Sequence, residues 1–215
     1  MLEKRLEQYI DLLIYRYPQL KKIREEIIKA YIVLENCYKK GGKLLIAGNG
    51  GSAADAEHIA GELMKRFRIE RPVSKEYAKK LIQIDYTRGK QLAQNLEKSL
   101  TAIPLVAHEA LTTAYINDVD SLGVFAQQLL GYGHKGDVFL GISTSGNSEN
   151  IINATVVARA SDIKIIGLTG AGGGELAKVS DVIVKVPETE TYKIQELHLP
   201  IYHCWCLMLE EKFFG

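Results

Sequence analysis

The chain has 215 residues, 47% hydrophobic and 25% charged, with 27 Lys plus Arg against 26 Asp plus Glu and a net charge of +1. That length and composition suit one globular domain with a full apolar core, spanning residues 1–215. A charge so balanced supplies no global field to hold nucleic acid or an anionic membrane, which leaves room only for a local basic pocket.

The N-terminal MLEKRLEQYIDLLIYRYPQL carries charges throughout. It lacks the uninterrupted apolar run of a signal peptide, and no stretch of the chain reaches the length of a membrane span. A reducing cytoplasm is the expected compartment. The three cysteines agree with that, since Cys37, Cys204 and Cys206 form no even-numbered framework. Cys204 and Cys206 flank Trp205 in an apolar run and read as packed thiols. Three thiols are too few for an all-cysteine zinc site.

Leu2, Leu6, Ile10 and Leu13 recur at helical spacing up to Pro18. A second helix is predicted from Leu20 to Lys40, stopping at Gly41-Gly42. The apolar stripe of these two helices, in the segment 1–40, must pack on the domain or on another subunit. Short apolar runs then alternate with Gly- or Ser-rich turns and helical stretches. Strands are predicted at Lys43–Ala47, Ile103–Ala107, Asp137–Ile142, Lys164–Leu168 and Asp181–Val186. Near-continuous apolar strands separated by helices predict an α/β protein with a parallel sheet covered on both faces. Residues 68–102 are charged and helical in pattern where the architecture needs only a connection. The chain closes on a predicted helix from Tyr192 to Phe214, which Pro200 should bend by removing a backbone bond. No internal repeat or low-complexity segment is evident.

Three turns follow strands. In Gly48-Asn49-Gly50-Gly51-Ser52 the glycines let a backbone approach a ligand at a helix N-terminus, although a tight strand-to-helix turn explains them at least as well. In Gly141-Ile142-Ser143-Thr144-Ser145-Gly146-Asn147-Ser148 four hydroxyls crowd one strand end. A helix cap needs one hydroxyl, so the surplus points to phosphate binding; the turn has no lysine and is not a nucleotide P-loop. Thr169-Gly170-Ala171-Gly172-Gly173-Gly174 carries no reactive side chain and reads as a structural loop.

His58 and Glu62 are four apart on the helix after the first turn and share a face. Gln195, His198 and His203 come late, Gln195 and His203 two helical turns apart. A His and a carboxylate from one helix can meet a Gln and a His from another as a four-ligand N/O metal site. By spacing alone, a surface contact and a satisfied core histidine account for the same residues.

The segments AGNGGSAADAEHIAGEL, LGISTSGNSENIINA, IIGLTGAGGGELAKVSDVIVKVP and IQELHLPIYH together resemble the phosphoheptose isomerases, a branch of the sugar isomerase (SIS) domain proteins. The resemblance covers the chain apart from residues 68–102. It implies a three-layer α/β/α sandwich on a five-stranded parallel sheet, and homotetramers with the N-terminal helices at the interface. It implies conversion of sedoheptulose 7-phosphate to D-glycero-D-manno-heptose 7-phosphate through a cis-enediol, the first step of nucleotide-activated heptose biosynthesis for lipopolysaccharide or other surface glycans. Zinc is implied on His58, Glu62, Gln195 and His203, with Glu62 and His203 as the acid/base pair. Substrate contacts carry over to Asn49, Gly50, Gly51, Ser52, Glu62 and Gln195, to the phosphate clasp Ser143, Thr144, Ser145 and Ser148, and to Asn117 and Asp118.

Three features depart from the family pattern: the long 68–102 segment, Tyr192 and Lys193 where some members have an acid, and Pro200. Three rival readings keep the SIS fold. A non-catalytic scaffold tetramer, like the one that associates with the replication initiator, needs no acid/base pair. A regulatory sugar-phosphate sensor normally carries a DNA-binding segment, for which the chain has no spare length. An isomerase of another ketose phosphate differs only in its pocket.

Overall fold

Each central strand alternates its side chains between two apolar surroundings, so both faces of the sheet are buried. Leu44 and Ile46 join one core, while Leu45 and Ala47 join the other. The computed structural model describes residues 2–215. In chain order its elements are α1 (Lys4–Arg16), a 3-10 stretch (Pro18–Ile23), α2 (Arg24–Lys39), β1 (Leu44–Ala47), α3 (Gly51–Met64), α4 (Lys75–Ile84), α5 (Tyr86–Asn95) and β2 (Ala102–Pro104). Then follow α6 (Glu109–Asp118), α7 (Val124–Tyr132), β3 (Val138–Ile142), α8 (Glu149–Ala160), β4 (Lys164–Thr169), α9 (Leu176–Val179), β5 (Val182–Lys185) and α10 (Thr191–Phe214).

The strands form a five-stranded, all-parallel sheet in the order β2-β1-β3-β4-β5. The predicted α/β/α sandwich is therefore the observed fold. Apolar residues of α1, α2, α3 and α10 pack on one face, and those of α7, α8 and α9 on the other. The chain moves outward from β1 to the edge strand β2, then returns to β3 on the other side of β1. This reversal between β1 and β3 opens a crevice at their C-terminal ends, the usual ligand position in open parallel sheets.

Some boundaries shift. The second helix begins at Arg24, not Leu20, because Pro18 opens a separate 3-10 stretch where its missing N–H is harmless. The strand expected at Ile103–Ala107 is instead Ala102–Pro104. Proline is tolerated on this edge, and the chain turns away directly after it, with Ala107 N–H donating to Pro104 O at 3.2 Å. Residues 68–102 contain α4 and α5, capped by the side chains of Ser74 and Asp85. The two helices meet at Gly89, where a Cβ would lie 2.2 Å from Leu81 O. Nothing on α4 is buried and only Gly89 is on α5, so the pair lies over the surface. The last helix runs through Pro200 as one element, with Leu197, Pro200 and Ile201 all buried. Packing on both sides of the missing bond holds the helix together there.

Candidate active site

Two turns face each other across the crevice between β1 and β3. After β1, Gly50 adopts φ +55° with open space at its Cβ position, a left-handed conformation that glycine takes without cost. Asn49 beside it forms a reciprocal amide pair with Asn150 at the start of α8, both bonds 2.9 Å. This pair ties the first turn to the second and involves Asn150, which motif reading passed over.

In the second turn, Ser148 sits at the N-cap of α8 yet makes no side-chain cap. Its hydroxyl lies 2.8 Å from Ser143 Oγ. Ser143 Oγ also accepts from Gly146 N–H at 3.1 Å, and Ser145 Oγ accepts from Asn147 N–H at 3.1 Å. The hydroxyls are thus spent on shaping the turn as well as displayed by it. Gly146 has φ +71°, and a Cβ there would meet Gly173 O at 2.1 Å. Asn147 Oδ1 accepts from Glu175 N–H at 3.0 Å. The glycine-rich third turn is therefore a structural wall of the second. Thr144, Ser145, Gly170 and Gly172 line a cavity of about 180 Å³. Ser52 and Ser143 are buried. Asn117 and Asp118 lie exposed at the end of α6 and bond to each other at 2.8 Å, with no side-chain hydrogen bond to either turn among the described residues.

The titratable cluster lies where α3 meets α10. His58 Nε2 is 3.3 Å from Glu62 Oε1 and 3.4 Å from His203 Nε2. The other oxygen of Glu62 is 3.4 Å from Lys65 Nζ. Burial lowers the pKa of His203, helped by the neighbouring His58 and opposed by Glu62. Gln195 stands apart from this meeting point. Its amide packs on Gly51, where a Cβ would fall 2.5 Å from Gln195 Nε2. Gly51 lies about 10 Å from His58 along the axis of α3. His198 is fully buried with both ring nitrogens unpartnered, and burial pushes its pKa down to about 4.

No three or more His, Cys, Asp or Glu side chains close into a metal-holding group among the described residues. The donors still suit an N/O-liganded cation pair by pair. Tetrahedral zinc with bonds of about 2.0–2.1 Å spaces its donors roughly 3.3–3.4 Å apart. Both separations from His58 Nε2, 3.3 and 3.4 Å, match that edge.

Sequence reasoning missed the residues that hold this cluster. The Arg71–Glu210 pair, with side chains 0% and 1% exposed, joins at 2.7 Å. Arg71 also donates to Leu63 O at 2.8 Å and Glu62 O at 3.3 Å, satisfying carbonyls at the end of α3. Glu210 on α10 accepts from Phe67 and Arg68 N–H, each at 2.7 Å. The pair clamps one site helix to the other. Tyr202 likewise bridges them, its hydroxyl 3.1 Å from both His58 Nδ1 and Asp55 Oδ1. Burial raises the pKa of Asp55, opposed by the Tyr202 hydrogen bond and by His58. Asp55 was legible as a neighbour of His58 on one helical face, whereas the Tyr202–His58 and Arg71–Glu210 contacts join residues over 130 apart in sequence.

Comparison with known proteins agrees with this architecture. A family model for the SIS domain matches residues 8–103 and 98–170. Phosphoheptose isomerase 2 of Campylobacter jejuni is 41% identical over 196 residues, which is 91% of this chain and 81% of that protein. The phosphoheptose isomerase of Aneurinibacillus thermoaerophilus is 41% identical over 177 residues, 82% of this chain and 76% of that protein. The structure of phosphoheptose isomerase from Neisseria gonorrhoeae superposes with a TM-score of 0.73 at 32% identity, covering 98% of this chain and 100% of that one. Identity at this level, sustained over nine-tenths of the sequence and carried by a shared fold, shows that the chain belongs to the phosphoheptose isomerase family of SIS-domain proteins, a family of isomerases.

Proposed function

We propose that this isomerase converts sedoheptulose 7-phosphate to D-glycero-D-manno-heptose 7-phosphate in the cytoplasm, opening the route to nucleotide-activated heptoses for lipopolysaccharide or other surface glycans. The observation that carries the reading is the convergence of His58, Glu62 and His203, each within 3.4 Å of its neighbour, between two helices clamped together. The relatives named phosphoheptose isomerase support the choice of sugar.

Ketose-to-aldose conversion needs two proton transfers in each half. A base removes a proton from C1 while an acid protonates the oxygen on C2, giving a cis-enediol. The enediol then gains a proton at C2 and loses one from the oxygen on C1, so the overall formula is unchanged. Glu62 and His203 take these roles, one at carbon and one at oxygen. Glu62 suits a double duty, because one oxygen faces His58 and the other faces Lys65. Burial, which lowers the pKa of His203, favours its neutral form.

Zinc is assigned to His58, Glu62 and His203, as the donor types and the two tetrahedral-edge distances support, and to Gln195 on the family resemblance alone. When bound, such an ion polarises the substrate carbonyl and stabilises charge on the enediolate oxygens. The phosphate is assigned to Ser143, Thr144, Ser145 and Ser148, with Asn49, Gly50, Gly51 and Ser52 closing the opposite side. Asn117 and Asp118 are assigned to the sugar on the family resemblance alone. A homotetramer built through α1 is supported by its uncovered Leu12 and Tyr15, 51% and 83% exposed.

The test is incubation of the purified protein with sedoheptulose 7-phosphate, with and without a chelator, following aldose formation. Product that disappears on chelation supports both the substrate and the metal. No product from sedoheptulose 7-phosphate, with turnover of another ketose phosphate, reassigns the substrate.

A further inference from the structure

Tyr202 is 1% exposed, yet its hydroxyl spans two polar groups of α3. Asp55 and His58 sit three residues apart on that helix and therefore share a face. We propose that Asp55 and Tyr202 are positioning residues that order the protons of His58, holding hydrogen on Nδ1 and leaving Nε2 bare toward Glu62 and His203.

The argument is a count of hydrogens. A phenol has one proton to donate, and a carboxylate can only accept. Asp55 Oδ1 has Tyr202 as its partner, and Asp55 Oδ2 is buried with none. The anionic oxygen is the stronger acceptor, so the phenol proton goes to Asp55. The phenol oxygen then offers only lone pairs to His58 Nδ1, 3.1 Å away. Nδ1 must carry the ring hydrogen, and in the neutral ring Nε2 is left unprotonated. That bare nitrogen faces a carboxylate oxygen at 3.3 Å and a second imidazole nitrogen at 3.4 Å. Toward Glu62 this sets lone pair against lone pair, which is unfavourable without a positive centre between them, whereas His203 can meet the same nitrogen with a ring N–H until a cation displaces it. The relay thus keeps the site open to a cation, whereas the opposite tautomer would close it with an Nε2–H bond to Glu62. The tautomer stands independently of the metal assignment; its consequence for binding rests on that assignment.

Two measurements separate these levels. Long-range ¹H–¹⁵N correlation spectra of the chelator-treated full chain report which nitrogen of His58 is protonated. Zinc affinity follows from competition with a chromogenic chelator. Wild-type protein is expected to show Nδ1–H. Asp55→Ala frees the phenol proton for Nδ1 and should invert the tautomer to Nε2–H. Tyr202→Phe, which removes a single oxygen, should leave the tautomers mixed and weaken zinc binding about 10–100-fold, as loss of an outer-sphere partner does. An Nε2–H wild type, or a tautomer unmoved in the Tyr202→Phe protein, would overturn the relay. Absence of zinc binding by wild-type protein would remove the metal assignment instead, with the spectra still deciding the relay.

Discussion

Glu62 turns one oxygen to the His58 imidazole and the other to Lys65. Glu62→Gln keeps the shape and removes the proposed base. Turnover is expected to fall at least a thousandfold with an unchanged unfolding midpoint, and retained activity would exclude Glu62 from the proton transfers. His198 makes a different prediction. Its native pKa of about 4 lies below the ordinary 6.5, so the unfolded chain binds a proton that the folded chain refuses. Stability therefore falls as pH drops from about 6.5 towards 4, by roughly 3 kcal/mol from this one ring. His203 shifts in the same direction and steepens the slope. Urea unfolding of chelator-treated protein across that pH range should show the loss. His198→Leu should flatten the curve, and an unchanged slope in that variant would rule out the buried ring as its source.

At the scale of elements, the site is a contact between α3 and α10, and two features control it. Gly51 opens α3 and lets the Gln195 amide lie flat against it. In Gly51→Ala the new methyl group meets the far end of a flexible side chain, so Gln195 swings away while the helix survives. Stability should change by less than about 0.5 kcal/mol, whereas kcat/KM should drop at least tenfold; wild-type kinetics would show that Gln195 has no part in the site. Arg71 and Glu210 form the second feature. Glu210→Ala leaves a buried guanidinium unpaired and strips two backbone N–H groups of their acceptor. A loss of about 3–5 kcal/mol is expected in denaturant titration. A near-neutral effect would mean that the helices are held by their apolar contacts alone. The clamp also explains how a long surface segment, with α4 and α5 lying outside the core, can follow α3 without disturbing it. Arg71 anchors the chain at the start of that segment, ahead of α4.

For the whole molecule, α1 places Leu12, Leu13 and Arg16 beside Leu199 and His203 around a groove of about 320 Å³. Exposed Leu12 and Tyr15 on the same helix would be covered in the proposed tetramer. Sedimentation equilibrium should give a mass near four times 23.9 kDa, and Leu12→Glu should shift it towards smaller species. A monomeric wild type would remove the tetramer. The amino-acid sequence by itself determined the parallel sheet, because apolar runs of strand length separated by helical spacing have few other ways to bury both faces. It also determined closely where the turns fall, since the apolar runs give way to Gly- and Ser-rich stretches after Ala47, Ile142 and Leu168, the last one residue short of the observed strand end. The His58–Glu62 pair was visible because helical spacing puts both on one face. The reversal between β1 and β3, the Asn49–Asn150 pair, the Arg71–Glu210 clamp and the Asp55–Tyr202–His58 contact were decided only by tertiary structure. Each joins residues far apart along the chain, and local periodicity carries no record of which distant side chain a buried polar group will meet.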